Sequence, residues 1–170
     1  MTAVPHHTEI VNVQTKDDHQ TCLDLRIRVF VEEQGFAMEV ERDEYDNFPR
    51  EDVIHLLARD RDTNEPLGTI RMIRKSATTV KLGRLAVRSD IRGRSIGRIL
   101  VDAGEAASIM AWGPGTDHDG RRAQPGIREI VANSQEDKRG FYEKCGYVMD
   151  EKLGVFNEDG GPHVKVVKML

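Results

Sequence analysis

The sequence has few of the residues that characterise secreted or membrane-bound proteins. Only two cysteines, Cys22 and Cys145, occur among 170 residues, which favours a reduced, cytoplasmic protein over a secreted one. No apolar run approaches the roughly 20 residues that a membrane span needs, and the segment from Met1 to Thr15 lacks the apolar stretch of a signal peptide. The net charge of -4 argues against wholesale nucleic-acid binding. We therefore expect a cytoplasmic enzyme or binding domain with no membrane and no nucleic-acid partner.

The hydrophobic pattern predicts one mixed α/β domain over residues 1–170, with its core at about 10–169 and an exposed loop at about 113–126. The predicted order is β-α-β-β-β-α-β-α-β-β. The expected strands are 6–14, 53–59, 66–73, 78–87, 127–132, 147–149 and 163–169, and the expected helices are about 17–33, 95–112 and 135–145. On the first helix, helical spacing indicates a buried face of Leu23, Ile27, Phe30 and Val31. On the second helix, the same spacing indicates a buried face of Ile96, Leu100, Val101, Ala107 and Ile109.

A candidate phosphate-binding loop lies between the strand end Leu85-Ala86-Val87 and the second helix. Backbone N–H groups at a helix start have no partner in the helix and lie at the positive end of its dipole, so they suit a pyrophosphate. Residues 84–98 carry a local net charge of +4, from arginines at 84, 88, 92, 94 and 98 and from Asp90. This asymmetry in an acidic chain fits an anionic cofactor. An ordinary helix start with surface arginines remains the alternative.

Four motifs resemble one enzyme superfamily. Arg92-Gly93-Arg94-Ser95-Ile96-Gly97 resembles the pyrophosphate loop of the Gcn5-related N-acetyltransferases (GNAT), and Phe141-Tyr142-Glu143-Lys144-Cys145-Gly146-Tyr147 resembles their later motif. The segment that starts at Arg28-Val29-Phe30-Val31 and the tail from Phe156 to Val164 are similar to the ElaA-like branch. Residues 141–146 also resemble glucosamine-6-phosphate N-acetyltransferases. The resemblance implies a mostly antiparallel sheet flanked by helices, and direct acetyl transfer from acetyl-CoA to an amine without a covalent acyl-enzyme or a metal.

The resemblance also implies roles for individual residues. Tyr142 matches the acid that protonates the leaving thiolate, and Gln135 matches a residue that holds the pantetheine arm. Their separation of seven residues predicts that both lie on one face of the third helix. Ser95 stands where the family usually has glycine, so its Cβ limits how closely the backbone approaches a phosphate. The implied coenzyme-binding residues are Leu85, Ala86, Val87, Arg92, Gly93, Arg94, Ser95, Ile96, Gly97, Arg98, Gln135 and Tyr142.

The acceptor amine must be neutral to attack, so a carboxylate or imidazole should take its proton. Glu33 and His163 rank first because both lie within the branch motifs; Asp43, Asp46 and His55 follow. Residues 39–52 carry a local charge of -5, which would attract a cationic amine through Asp43 and Asp46, unless the segment is simply a solvated face. His55 is flanked by Ile54 and Leu56, which also fits a core strand.

We expect the acceptor to be a small molecule with a primary amine, for example an amino sugar. Protein amino termini or lysines are the alternative acceptors, and a domain that binds CoA as a sensor without turnover is the alternative to an enzyme. A homodimer is left open.

Overall fold

The computed structural model describes residues 7–114 and 126–170. Within them, eight strands form one sheet in the order β1-β2-β3-β4-β5-β8-β6, and β7 pairs with β8. Every pairing is antiparallel except that of β4 with β5. The strands are β1 Thr8–Asn12, β2 Val53–Asp60, β3 Pro66–Arg74, β4 Thr79–Val87, β5 Glu129–Gln135, β6 Val148–Met149, β7 Val155–Glu158 and β8 Gly161–Met169. The helices are α1 Lys16–Arg26, α2 Met38–Glu41, α3 Ile96–Trp112 and α4 Arg139–Lys144.

This architecture confirms the predicted mixed, mostly antiparallel fold, with one strand more than expected. The additional strand, β7, forms a hairpin with β8 across Asp159 and Gly160, whose φ angles are 52° and 82°. Most of the predicted loop at 113–126 lies outside the described residues. No helix in the described part of the chain is long and apolar enough to span a membrane.

The first helix begins as predicted but changes its winding. Thr15 caps α1 by accepting a hydrogen bond from the Asp18 backbone N–H. After Arg26 the chain continues as a π-helical turn, Ile27–Glu33, in which the Gln34 backbone N–H donates to the Val29 carbonyl at 3.1 Å. Wide turns of this kind occur frequently at functional sites.

The buried face of this helix differs from the predicted one. Leu23 is buried, but Ile27, Phe30 and Val31 are only partly buried. The buried positions are instead His19, Cys22, Leu23, Leu25, Arg26 and Val29. Hydrophobic spacing missed this face because one of its central members is the buried, charged Arg26, which is 1% exposed.

Helix α3 packs on one side of the sheet, against β2, β3 and β4. Ile96, Leu100 and Val101 are buried as predicted, but Ile109 is 47% exposed and Ala107 is only partly buried. The small residues Gly104 and Ser108, together with Trp112, complete the buried face. Small residues let the helix approach the sheet closely, which an apolar-residue pattern does not show.

The sheet separates where β4 and β5 diverge. Their parallel pairing covers only residues 79–82 of β4 and 129–132 of β5. The rest of β4 stays paired with β3, and the rest of β5 stays paired with β8. A bulge at Arg84 and Leu85, where Arg84 has φ 51°, lies in the diverging part of β4. A gap therefore opens in the middle of the sheet.

Candidate active site

A cleft of about 1200 Å³ lies at this gap. Its wall includes the π-helical turn, the β3–β4 hairpin and the end of β4, the start of α3, the end of β5, helix α4 and the β7–β8 hairpin. A cleft of this size can hold a large ligand together with a small one. It also brings together residues that the sequence places far apart, including Glu33, Arg92, Tyr142 and His163.

The start of α3 forms one end of the cleft. Gly93 and Ser95 both adopt left-handed backbone conformations, with φ 80° and 64°. Ser95 is the N-cap residue, but its side chain makes no capping hydrogen bond. The first N–H groups of this 17-residue helix are therefore left for a ligand. Gly97 has a packing role, because a Cβ there would lie 3.3 Å from the ring of Phe141.

The five arginines of residues 84–98 do not form one basic patch. Arg92 and Arg98 line the cleft, whereas Arg94 is exposed and is not among the lining residues. Arg88 is bound to Glu65 and Asp90. Arg84 also lines the cleft, but on the bulge of β4 near Glu41 and Asp43. The local charge that the sequence suggested is therefore partly neutralised within the fold.

Arg92 and Glu33 form an exposed, bidentate ion pair. Both guanidinium Nη atoms of Arg92 donate to the Glu33 carboxylate, one of them at 2.9 Å, and its Nε donates to the Val87 carbonyl at 3.1 Å. The hydrogen bond from Arg92 lowers the pKa of Glu33. A carboxylate held in this way is a weak proton acceptor. The geometry therefore favours Glu33 as a partner of Arg92 over Glu33 as the general base.

Gln135 lines the cleft, but not on a helix. It is the last residue of β5, and a 3₁₀ turn, Glu136–Lys138, separates it from α4. The expected shared helix face with Tyr142 is therefore wrong. The strand continues because residues 133–135 pair with residues 163–165 of β8. The Gln135 amide donates to the Gln34 Oε1 at 2.8 Å and so ties β5 to the π-helical turn.

Tyr142 lies in helix α4 and lines the cleft, as expected. Its ring packs edge-on against Phe141 and Tyr147, with centroid distances of 5.2 and 5.8 Å. Burial raises the pKa of Tyr142. The hydroxyl is therefore protonated at neutral pH and can donate a hydrogen bond.

His163 lies on β8, opposite Gln135 on one side and Phe156 on the other. Its Nδ1 is 3.0 Å from the Gly161 carbonyl oxygen. A carbonyl can only accept, so Nδ1 carries the proton in the neutral ring and Nε2 keeps its lone pair. Because His163 also lines the cleft, it has the properties of a general base.

The acidic segment has a mainly structural role. Asp46 is 3% exposed and accepts hydrogen bonds from Arg26 at 2.7 and 3.0 Å and from Arg71 at 3.0 Å. Burial opposes its ionisation, but these guanidinium groups hold the pKa of Asp46 well below its usual value. Glu41 is also bound to Arg26. Asp46 is not among the described residues that line the cleft, so its expected contact with substrate is not supported by the geometry.

Asp43 lies at the edge of this network. It lines the cleft, and Arg71 donates two hydrogen bonds of 2.7 Å to it. Burial opposes its ionisation, but Arg71 lowers the pKa of Asp43 overall. Its negative charge is largely balanced within the protein.

His55 is a core residue away from the described lining of the cleft. It is 4% exposed and its ring meets that of His19 at 4.6 Å between centroids. Burial lowers the pKa of His55 to about 3. His19, Asp46 and His55 have potential metal ligands within 4.8 Å of one another, but the Asp46 oxygens already accept hydrogen bonds from two arginines. The structure therefore fits a role for His55 as a core residue of β2 better than a role as the general base.

Sequence reasoning missed many of the polar residues that line the cleft. They include Gln34, Tyr45, Arg71, Lys75, Lys81, Asn133, Glu158 and Asp159. The signal for Arg71 and Lys81 was the polar position that interrupts an otherwise apolar strand. Tyr45, Lys75 and Gln34 gave no comparable signal.

Comparison with known proteins places this geometry in a family. Residues 51–149 match the family model described as an acetyltransferase (GNAT) domain. A candidate acetyltransferase of Bacillus subtilis (strain 168) is 32% identical over 159 residues, which cover 94% of this chain and 95% of that protein.

Solved structures agree with this. The Escherichia coli ElaA structure has a TM-score of 0.72 at 22% identity and covers 95% of this chain and 99% of its own. An aminoglycoside 6'-N-acetyltransferase complexed with coenzyme A has a TM-score of 0.69 at 19% identity, covering 95% of this chain and 96% of its own. The divided sheet, the coenzyme-sized cleft and the matched domain together show that the chain belongs to the GNAT acetyltransferase family.

Proposed function

We propose that the protein transfers an acetyl group from acetyl-CoA to a primary amine of a small molecule, with both ligands bound at the same time. The observation that carries the proposal is the single cleft, which joins the α3 N-terminus, the gap between β4 and β5, Tyr142 and His163. The aminoglycoside acetyltransferase of similar fold, solved with coenzyme A, supports the same arrangement.

The residues at the start of α3 fit the pyrophosphate of the coenzyme. The backbone N–H groups of Ile96, Gly97 and Arg98 lie at the positive end of the helix and have no intrahelical partner. Arg92 supplies a charge, and its exposed pair with Glu33 can be exchanged for a phosphate at little cost. When bound, acetyl-CoA supplies the acetyl group as a thioester.

The diverging part of β4 would position the acetyl group. Beyond Leu82, β4 pairs with β3 on one edge, and its other edge faces the cleft. Backbone N–H groups of residues 85–87 that point to this edge lack a strand partner there. Such donors stabilise negative charge that develops on a carbonyl oxygen.

Two side chains would move protons. His163 would accept the proton of the acceptor amine at Nε2, directly or through a water molecule, while the Gly161 carbonyl holds the ring in the required tautomer. Tyr142 would donate from its hydroxyl to the sulfur that leaves. Its raised pKa keeps the hydroxyl protonated, so that it can donate, but makes it a weak acid.

Steady-state release of the CoA thiol with a panel of amines tests the proposal. The panel contains amino sugars, amino acids, polyamines and peptides, and product acetylation is checked by mass spectrometry. We expect acetylation of at least one small amine, with His163→Gln lowering kcat/KM. Acetylation of peptides alone would replace the small-molecule acceptor by a protein. Coenzyme binding without thiol release for any amine would show a sensor.

A further inference from the structure

The charge on one wall of the cleft points to the chemical class of the acceptor. The β3–β4 hairpin contributes four cations and no acid to the lining: Arg71, Lys75, Lys81 and Arg84. These cations lie on the two strands that precede the pyrophosphate loop.

The strand register places two of these residues side by side. Arg71 lies opposite Gly83, and Ile73 lies opposite Lys81, in an antiparallel pair. Opposed residues share a face, so Arg71 and Lys81 are diagonal neighbours on the same face, with Cα atoms about 7 Å apart. Gly83 between them has no side chain, which keeps this part of the wall accessible.

The acids near this wall are already bound to other cations. Asp43 accepts two hydrogen bonds from Arg71, and Glu41 is paired with Arg26. Each of these acids also lies within 3.8 Å of the Arg84 guanidinium. Little negative charge is left for a cationic ligand.

Lys81 has no such compensation. Lys81 is partly buried, and across residues 7–114 and 126–170 no ion pair or hydrogen bond of its ammonium is seen. Lys75 donates to the Tyr45 hydroxyl at 2.6 Å and lies 4.8 Å from the centre of that ring. An ammonium in a cleft without a bound counter-ion attracts an anionic group of a ligand.

The opposite wall has the complementary charge. The β7–β8 hairpin places Glu158, Asp159 and His163 along the cleft. Glu158 accepts a hydrogen bond of 2.9 Å from the Asn133 amide, which is a neutral donor. An acceptor that spans the two walls would place its amine at the hairpin and an anionic group at Lys81.

We propose that the acceptor is an amine that also carries a carboxylate or phosphate, which binds at Lys81 and Lys75. This proposal rests on the proposed acetyl transfer and adds the acceptor class to it. It also replaces the expectation that residues 39–52 attract a purely cationic amine.

Matched acceptor pairs test this. The pairs are γ-aminobutyrate and its amide, phosphoethanolamine and ethanolamine, and glucosamine 6-phosphate and glucosamine, with spermidine as the cationic amine. We expect the anionic member of at least one pair to have the higher kcat/KM, and the carboxylate and phosphate pairs show which anion is recognised. Higher kcat/KM for the neutral member of every pair, or for spermidine, would overturn the proposal.

Variants locate the anion site. Lys81→Met should lower kcat/KM for the preferred anionic acceptor about 10- to 100-fold, as expected for loss of a charge-assisted contact. The neutral partner and the KM for acetyl-CoA should change less than about twofold, and Lys81→Arg should restore most of the activity. Lys152→Met is the control, because Lys152 is exposed and is not among the described lining residues. Equal losses of kcat/KM in Lys81→Met for both members of a pair would contradict the proposal.

The proposal and the enzymatic function can fail separately. If no amine releases the CoA thiol, the enzymatic function fails. In that case, calorimetric titration of the CoA-bound protein with the same compounds shows whether the anion site exists. Binding of an anionic amine that Lys81→Met weakens supports the site, and absence of binding by every anionic amine overturns it.

Discussion

Two ion-pair systems border the cleft, and they differ mainly in burial. Arg26, Glu41, Asp46 and Arg71 form a network in which every member is at most 4% exposed. The Arg92–Glu33 pair has good bidentate geometry, but its side chains are 43% and 34% exposed. The two systems have similar residue types and contacts, but they differ in their exposure to solvent.

This difference separates a structural role from a binding role. A buried charge that loses its partner cannot regain hydration, so the buried network must remain intact. An exposed pair contributes little to stability, because water and salt screen it. Arg92 can therefore exchange Glu33 for a ligand phosphate, while Arg26 keeps its carboxylate partners.

The largest expected effect is on the buried network. Asp46→Asn should lower the free energy of unfolding by about 3–5 kcal/mol, because it leaves Arg26 and Arg71 without full compensation. The matched change in the exposed pair, Glu33→Gln, should cost less than about 1 kcal/mol. Denaturant unfolding measures both, and similar values for the two variants would contradict the distinction.

Tyr142→Phe tests the role of a hydroxyl in the cleft that belongs to neither ion-pair system. The ring stays, so we expect little change in stability or in coenzyme Kd. Loss of the hydroxyl should lower kcat about 100-fold, near the low end for acid–base catalysis, because a thiolate leaves adequately without a proton. Single-turnover kinetics across pH measures the chemical step. Wild-type rates at every pH would make Tyr142 a packing residue.

The burial of His55 near this network should also make the fold sensitive to acid. Burial lowers the folded-state pKa of His55 to about 3 from an ordinary 6.5, so the unfolded chain binds more protons between these values. The contribution of His55 to the free energy of unfolding is fully present above pH 6.5 and is lost as the pH falls towards 3. The loss at pH 5 should be about 2 kcal/mol.

Unfolding at pH 7 and pH 5 measures this loss, and the difference between wild type and His55→Gln isolates the His55 contribution. An unchanged difference between the two pH values in His55→Gln would show that other groups cause the acid sensitivity.

Arg92→Ala tests the exposed pair directly. We expect coenzyme Kd to rise about 10-fold, from loss of a charge-assisted contact, with little change in unfolding free energy. Arg94→Ala is the matched control, because this arginine belongs to the same loop but is exposed and is not among the described lining residues. Equal effects of the two changes would mean that only the general charge of the loop matters.

The smallest effect is expected at Ser95. Its φ of 64° is unfavourable for a residue with a Cβ, and its side chain makes no capping bond. Ser95→Gly should therefore raise stability by about 1 kcal/mol or less. Calorimetric titration with CoA shows whether the hydroxyl also contributes to binding. A marked loss of affinity would assign the hydroxyl to the phosphate site.

The strongest sequence signals came from local patterns. The turn that leads into α3 depends on neighbouring residues, so residues 92–97 predicted its position correctly. The motif from Phe141 to Tyr147 likewise placed Tyr142 on a helix in the cleft. Gln135 was misplaced because pairing with β8, thirty residues further along the chain, extends β5 to that residue.

Sequence alone determined the mixed fold, the order of its main elements and the helix start at the cleft, because these follow from periodicity and from turn residues close together in the chain. Only the tertiary structure decided which charges are available. In the sequence, Asp46 belongs to an acidic segment and Lys81 to an apolar strand, and neither position shows whether its charge is paired. The fold surrounds Asp46 with Arg26 and Arg71 and, within the described part of the chain, leaves Lys81 without an anion, because charge compensation depends on distances between segments that the chain brings together only on folding.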